Sequence, residues 1–349
     1  MNSDQKSLEC IKPNLFEFAT KELSQDAFLC WLISWANPAV KNHDQALHEC
    51  GRAFLNSLFE AAKEQAPNEI VRLKVHRQND HIDLWVEIDE GEKNTIILIE
   101  DKVGTGNHSD QLKNYKTKLT NRFQEARLIC IYFKTFDQSN FEAIHEAGYH
   151  TFNRTMLLKT LEPYRDLSNA ILQDFIGRMS NVEQWVATFN STCLGEWDHL
   201  HWVGLYQALQ ASEKFPKLNW GRVNNFAGGY WGCWWPLGGT NTTDQVSEVP
   251  VYFQLRQNKA FICVSAKGEK SEWKSQQLNL HNQAISHART LNLPLARPRV
   301  LKKGQNMTVA ILAENGEYLV DDGNGLVDLE KTINFLLQFY RLNTVVWQK

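Results

Sequence analysis

A short apolar run in this sequence ends in two acids and a lysine, residue types that can activate water for hydrolysis. Residues 96–99 (Ile-Ile-Leu-Ile) predict a strand buried on both faces, and Glu100, Asp101 and Lys102 follow it directly. Side chains alternate along a strand, so we expect Glu100 and Lys102 on one face, roughly 7 Å apart, with Asp101 on the other. This pairing is typical of metal-assisted phosphodiester hydrolysis, although the solvated end of an ordinary strand would look the same.

A second carboxylate, Asp83, lies in a segment that alternates apolar and polar residues. Residues 82–88 predict a strand, and an acidic turn containing glycine joins it to the next strand. Such a hairpin places Asp83 next to Glu100. Two converging carboxylates favour Mg²⁺, which takes one or two carboxylates together with water and substrate phosphate. Lys102 would hold the attacking water or the phosphate, and the carbonyl of Asp101 is a candidate additional metal ligand.

The elements around these residues predict an α/β domain. The pattern predicts, in order, helices at residues 14–22, 25–36 and 45–65, strands at 70–76, 82–88 and 95–103, a helix at 109–120, and strands at 127–133 and 149–152. Ser24 is a candidate N-cap for the second of these helices. Composition shifts after residue 192, where Trp and Gly cluster. We therefore divide the chain into an α/β domain, residues 1–192, and an α+β domain of unrecognised type, residues 193–349.

Composition describes an ordinary folded chain of 349 residues, with 43% hydrophobic and 22% charged residues. The N-terminus lacks the pattern of a signal peptide, and the seven scattered cysteines form no C-x-x-C pair, so a cytoplasmic location is expected. The net charge of −3 is uneven. Residues 195–349 hold 16 Lys and Arg against 13 Asp and Glu, whereas residues 1–194 hold 21 against 27. An acidic first part is expected where carboxylates gather around cations.

Asp83, sixteen intervening residues and then Glu100-x-Lys102 at the end of an apolar strand resemble the PD-(D/E)xK nuclease superfamily. The leading Pro of the formal motif is absent, and His81-Ile82 precede the aspartate instead. The resemblance covers about residues 14–190. It implies a restriction-endonuclease-like αβββαβ core preceded by N-terminal helices.

Two further elements are similar to RecB-type members of that superfamily. Gln111 and Tyr115, spaced i, i+4 on one helix face, match a Q-x-x-x-Y element whose residues flank the pocket and contact substrate. Glu22, with Gln25 and Asp26 close to it, is similar to an acidic residue that approaches the metal site from an early helix in a bacterial subfamily. Glu22 would then be an auxiliary metal ligand. For Asp26 the alternative interpretation is a charge in the first turn of its helix, favoured by the helix dipole.

The resemblance implies a nuclease that uses Mg²⁺, with Mn²⁺ as a substitute, and that acts on DNA in preference to RNA. It implies bacterial defence or mobile-element biology as the setting. Two alternatives remain open: a catalytically silent nucleic-acid-binding module, and an effector that is silent until its second domain meets a ligand. The sequence also leaves the oligomeric state open, a homo-oligomer included.

The second domain offers two candidate contacts with nucleic acid. The Trp-rich stretch at residues 230–235 is interpreted either as core or as a surface on which bases stack. The best basic patch lies at residues 289–303. Its candidate substrate-binding residues are Arg297, Arg299, Lys302 and Lys303.

Overall fold

The computed structural model describes residues 12–79, 82–103, 109–223, 229–237, 251–266, 268–300, 304–313 and 316–344. The chain divides into two compact units, Met1–Glu183 and Gln184–Lys349. The functional domains expected at residues 1–192 and 193–349 stay a prediction. Among the described helices, none is both long enough and apolar enough to cross a membrane.

The first unit contains a five-stranded mixed sheet with helices packed on both faces. Its strands are β1 (Arg72–Asn79), β2 (Ile82–Asp89), β3 (Asn94–Lys102), β4 (Arg127–Lys134) and β5 (His150–Asn153). Its helices are α1 (Leu15–Phe18), α2 (Glu22–Ser34), α3 (Gln45–Ala61), α4 (Ser109–Arg122), α5 (Glu142–Glu146), α6 (Arg154–Leu161) and α7 (Ala170–Ala187).

The strands lie in the order β1-β2-β3-β4-β5. The first three form an antiparallel meander, and β4 and β5 then add in parallel. A parallel addition needs a crossover, which α4 provides between β3 and β4. The predicted meander is confirmed, and so is the α/β, restriction-endonuclease-like core with its αβββαβ order and N-terminal helices.

Alternation along the strands sends side chains into two separate cores. Ile99 of β3 packs with residues of α2 and α3, whereas Leu98 packs with residues of α4. Glu100 and Lys102 therefore continue the face that α4 covers, and Asp101 continues the face that α2 covers. One strand end thus presents chemically different groups to two helical layers.

Close packing of α2 against α3 fixes the layer behind Asp101. A Cβ atom added at Gly51 of α3 would lie 2.7 Å from the carbonyl oxygen of Leu32, so only glycine fits there. The start predicted for α2 was wrong. The helix begins at Glu22 after Lys21, and Ser24 lies inside it as a helical residue rather than as its N-cap.

The second unit is built on a six-stranded antiparallel sheet in the order β10-β11-β9-β8-β7-β6. Its strands are β6 (Asn219–Val223), β7 (Tyr230–Leu237), β8 (Val251–Arg256), β9 (Lys259–Ser265), β10 (Leu295–Ala296) and β11 (Asn306–Leu312). Its helices are α8 (His199–Ala211), α9 (Trp273–Thr290) and α10 (Leu329–Gln338). The expected α+β composition of this region is confirmed.

Candidate functional site

The hairpin of β2 and β3 brings Asp83 beside Glu100. Leu84 pairs with Ile99 in its register, so one further step along the ladder sets Asp83 opposite Glu100. On the other side of Asp83, the register of β1 and β2 sets Gln78 opposite it. Asp83 and Glu100 therefore lie on adjacent strands and face the same layer, as the sequence predicts.

Lys102 lies between the two carboxylates. Its Nζ is 2.6 Å from Oε1 of Glu100 and 3.5 Å from Oδ2 of Asp83. Burial lowers the pKa of Lys102, but the charges of Glu100 and Asp83 outweigh that effect and hold the pKa above its usual range. The ammonium is therefore a fixed positive charge between two acids.

Glu100 is fully buried, and its carboxylate has fewer polar partners than it could accept. Burial, together with the charge of Asp83, raises the pKa of Glu100 to about 7 in spite of Lys102. Its second oxygen, Oε2, is buried and accepts no hydrogen bond from the residues that the structure describes. A buried carboxylate oxygen without a partner is costly, so this position suits an additional cation.

Asp83 and Glu100 fit a hard divalent cation as a two-carboxylate set, with water and substrate phosphate completing the shell. Within the described ranges, no group of three or more His, Cys, Asp or Glu side chains could hold a metal ion. Glu22, predicted as a third ligand, instead accepts a hydrogen bond of 3.4 Å from the backbone N–H of Val103. Its charge still acts on Glu100 and Lys102, and its role as a ligand stays a prediction.

The side chain of Asp101 points away from the two acids, towards α2. Its Oδ1 accepts a short hydrogen bond from Nε2 of Gln25, and Oε1 of Gln25 accepts one of 2.6 Å from the hydroxyl of Thr135. The carbonyl of Thr135 accepts a bond of 2.7 Å from the guanidinium of Arg154. This buried chain of bonds joins β3, α2, α6 and the residue that follows β4. The carbonyl of Asp101 stays a candidate metal ligand.

Asp26 on α2 is linked to Asp83 through one amide. Nε2 of Gln78 donates to Oδ2 of Asp26 at 3.1 Å and, more weakly, to Oδ1 of Asp83 at 3.4 Å. Gln78 has a φ of 49°, a left-handed conformation that non-glycine residues rarely adopt and that occurs at functional sites. Asp26 lies in the second turn of α2 and is almost fully buried, so its interpretation as a first-turn charge was wrong. Burial, with the charge of Asp83, raises its pKa to about 6.

Gln111 and Tyr115 lie one turn apart on α4, on the side that covers Glu100. Nε2 of Gln111 donates to the Tyr115 hydroxyl oxygen at 3.0 Å, so the pair acts as one polar patch. Burial raises the pKa of Tyr115, and the charges of Glu100 and Asp83 contribute to that rise, which indicates that the phenol is near both acids.

One residue at the site, Lys134, was missed in the sequence. It ends β4, pairs with Lys102 in the parallel register, and is 4% exposed. Burial lowers its pKa to about 8, against the opposing charge of Glu22. Like β3, β4 is an apolar strand that ends in a polar residue, and this pattern could have identified Lys134. The predicted strand stopped at residue 133, one residue before it.

The other predicted substrate-binding residues belong to the second unit. Arg297 and Arg299 are exposed and follow β10. Lys302 and Lys303 lie outside the described residues, as does His81 of the family motif. The contact of these basic residues with substrate stays a prediction.

The fold and the acid–lysine cluster agree with the comparison to protein families. The family model of the PD-(D/E)XK nuclease superfamily matches residues 13–189, just over half of the chain. The chain therefore belongs to the PD-(D/E)XK nuclease superfamily, as its motifs predict. The RecB-type subfamily stays a prediction. No curated protein and no solved structure matches the chain significantly.

Proposed function

We propose that this protein is a metal-dependent nuclease that hydrolyses phosphodiester bonds, with DNA as its preferred substrate. The observation that carries the proposal is the position of the Lys102 ammonium, held between the carboxylates of Asp83 and Glu100 at the end of β3. Superfamily membership supports the same reaction. The RecB-type resemblance is what supports a setting in bacterial defence or mobile-element biology.

Each residue of the site has a distinct role in this proposal. Asp83 and Glu100 would hold Mg²⁺, or Mn²⁺ in its place, which when bound lowers the pKa of a water and neutralises charge on phosphate. Lys102 supplies a fixed positive charge for the attacking water or the scissile phosphate. Gln111 and Tyr115 supply hydrogen bonds that orient the substrate. Because all these groups are present together, turnover is favoured over the binding-only alternative.

The proposal is tested by incubating plasmid, single-stranded DNA and RNA with the full-length protein, in Mg²⁺, in Mn²⁺ and in EDTA. We expect cleavage with either metal, none in EDTA, and loss of cleavage in Lys102→Ala and Asp83→Asn. Lys159→Ala, which removes an exposed lysine on α6, is the matched control and should cleave normally. Metal-independent cleavage, or activity in the Lys102→Ala/Asp83→Asn double variant, would refute the proposal.

A further inference from the structure

The six-stranded sheet of the second unit has two chemically different faces. On one face of β7 and β8, the side chains of Trp231, Trp235 and Phe253 are buried, which rules these two tryptophans out as stacking surfaces for bases. The neighbours that alternate with them point to the opposite face. We call that face the aromatic face; it is formed by Tyr230, Trp234, Tyr252, Gln254, Arg256, Phe261, Cys263 and Thr308.

Arg256 lies on the aromatic face, where the side chains to which it donates hydrogen bonds are neutral. Its Nε donates to Oε1 of Gln254 at 2.9 Å, and its Nη2 contacts Sγ of Cys263 at 3.4 Å and Oγ1 of Thr308 at 3.2 Å. Among the described residues, no carboxylate forms an ion pair with it. A half-buried guanidinium that contacts neutral groups is suited to bind an anion, most strongly a phosphate or carboxylate.

Aromatic rings surround this guanidinium. The guanidinium carbon lies 4.3 Å from the ring centroid of Phe261 and 5.7 Å from that of Tyr230. Trp234 is half-buried and lies close to two glycines. A Cβ atom at Gly221 would be 3.9 Å from its ring, and one at Gly232 would be 3.6 Å away. The glycines therefore leave room for a large ring to lie against the backbone of the sheet.

We propose that the aromatic face binds single-stranded nucleic acid, with Arg256 contacting a phosphate and the rings stacking on bases. Proteins that bind single strands combine positive charge along the backbone with aromatic side chains beneath the bases. The inference deepens the proposed function, on which it rests, because that function makes nucleic acid the substrate. Within the Trp-rich strand β7, it assigns the stacking role to Tyr230 and Trp234. The buried Trp231 and Trp235 have no part in stacking.

A strand fits this face better than a free nucleotide, although both carry bases and phosphates. The rings are spread over β7, β8 and β9, and adjacent strands lie about 4.8 Å apart, so the surface spans more than one base. Beyond β11, the edge strand β10 leads to the exposed Arg297 and Arg299. Two further positive charges therefore follow the far edge of the sheet, where a strand that crosses it could reach them and a mononucleotide on β7 to β9 could not.

The test measures binding without cleavage. Full-length Lys102→Ala protein in EDTA would be titrated into a labelled oligothymidylate of about 20 nucleotides and followed by fluorescence anisotropy. We expect Arg256→Gln and Trp234→Leu each to weaken binding about tenfold, and Arg256→Gln to reduce the salt dependence by about one phosphate contact. Lys274→Gln, which removes an exposed lysine on α9 outside the basic patch, is the matched control and should bind normally.

Photo-crosslinking provides a second test that needs no change in the aromatic face. A strand carrying 5-iodouracil should crosslink to peptides containing β7 or β9 of the Lys102→Ala protein. Crosslinks confined to residues 1–183, unchanged affinity in folded Arg256→Gln protein, or tighter binding of a free mononucleotide than of the strand would each overturn the inference. Binding is measured without metal, so its outcome is independent of cleavage. If the strand binds to the aromatic face but the wild-type protein cleaves nothing in Mg²⁺ or Mn²⁺, the proposed nuclease function is refuted and the inference about the aromatic face stands.

Discussion

Lys134 and Lys102 are register partners in the parallel pair of β4 and β3, so two buried lysines face the same layer of the first unit. Lys102 lies between two acids, whereas burial dominates the environment of Lys134 and lowers its pKa. The site therefore holds one lysine that is strongly stabilised in its charged form and one that is close to losing its proton. Burial of the Lys134 ammonium lowers the stability of the fold, and a role in binding the substrate phosphate would explain why a lysine lies there.

We expect Lys134→Met to stabilise the protein and impair cleavage. At pH 7 the buried ammonium destabilises the fold by roughly 3 kcal/mol, since the folded pKa of about 8 lies below the usual lysine value of 10.5. The stabilisation of Lys134→Met over wild type should shrink as pH rises from about 8 to about 10.5. In this range Lys134 loses its proton in the folded wild-type protein before it does so in the unfolded chain. Denaturant unfolding at pH 7 and pH 10 measures the stabilisation. Equal stabilisation at both pH values would contradict the explanation.

The raised pKa of Glu100 predicts a pH dependence for the metal-free protein. Between its usual value of 4.5 and the folded value of about 7, the folded state binds more protons than the unfolded chain. The contribution of Glu100 to stability should therefore be largest below about pH 4.5 and fall as pH rises through this window. Urea unfolding in EDTA should show the slope in wild type and in Glu125→Gln, an exposed control, and a reduced slope in Glu100→Gln. A slope that Glu100→Gln leaves unchanged would assign it to other groups.

Gln25→Ala should destabilise the protein and impair the site, although Gln25 bonds Asp101 on the face of the sheet opposite Glu100 and Lys102. The change leaves an oxygen of buried Asp101 and the hydroxyl of Thr135 without their partner, at a cost of about 1–3 kcal/mol. Because Asp101 joins Glu100 to Lys102, we expect the cleavage rate to fall as well, with little change in substrate affinity. Calorimetry and single-turnover cleavage test both effects. Gln45→Ala, which truncates an exposed glutamine on α3, should change neither.

Gly51→Ala should destabilise the first unit in spite of its helical position. Alanine is favoured over glycine in a helix by about 1 kcal/mol, but here its Cβ would lie 2.7 Å from the Leu32 carbonyl oxygen and 2.8 Å from the Ala36 nitrogen. Backbone atoms cannot rotate away, so we expect a net loss of about 2 kcal/mol. Thermal unfolding measures the loss. Gly195→Ala, which meets nothing within 4 Å, is the matched control and should be neutral.

The reaction face of the first unit was predictable because its signals are local. Alternation in residues 82–88 and the short turn after them determine the hairpin, and the hairpin alone places Asp83 next to Glu100. The i, i+4 spacing of Gln111 and Tyr115 likewise determines a shared helix face.

The support behind the sheet was not predictable from local patterns. Gln25 bonds Asp101, 76 residues away, and Gln78 bonds Asp26, 52 residues away. Neither bond leaves a trace in periodicity. The left-handed φ of Gln78 is also set by its tertiary surroundings, since glutamine has no intrinsic preference for that conformation. The start of α2 was misplaced for a related reason, because its first residue, Glu22, has no side-chain cap before it.

The mixed character of the first sheet has a consequence for the order in which the site folds. Asp83 and Glu100 meet across an antiparallel hairpin, a local contact that forms quickly, whereas Lys134 reaches Lys102 only after the crossover through α4. We therefore expect the two acids and Lys102 to come together first, and the buried Lys134 to join them only after β4 has paired. Pulsed hydrogen exchange during refolding should protect the amides of β2 and β3 before those of β4, and simultaneous protection of all three strands would contradict this order.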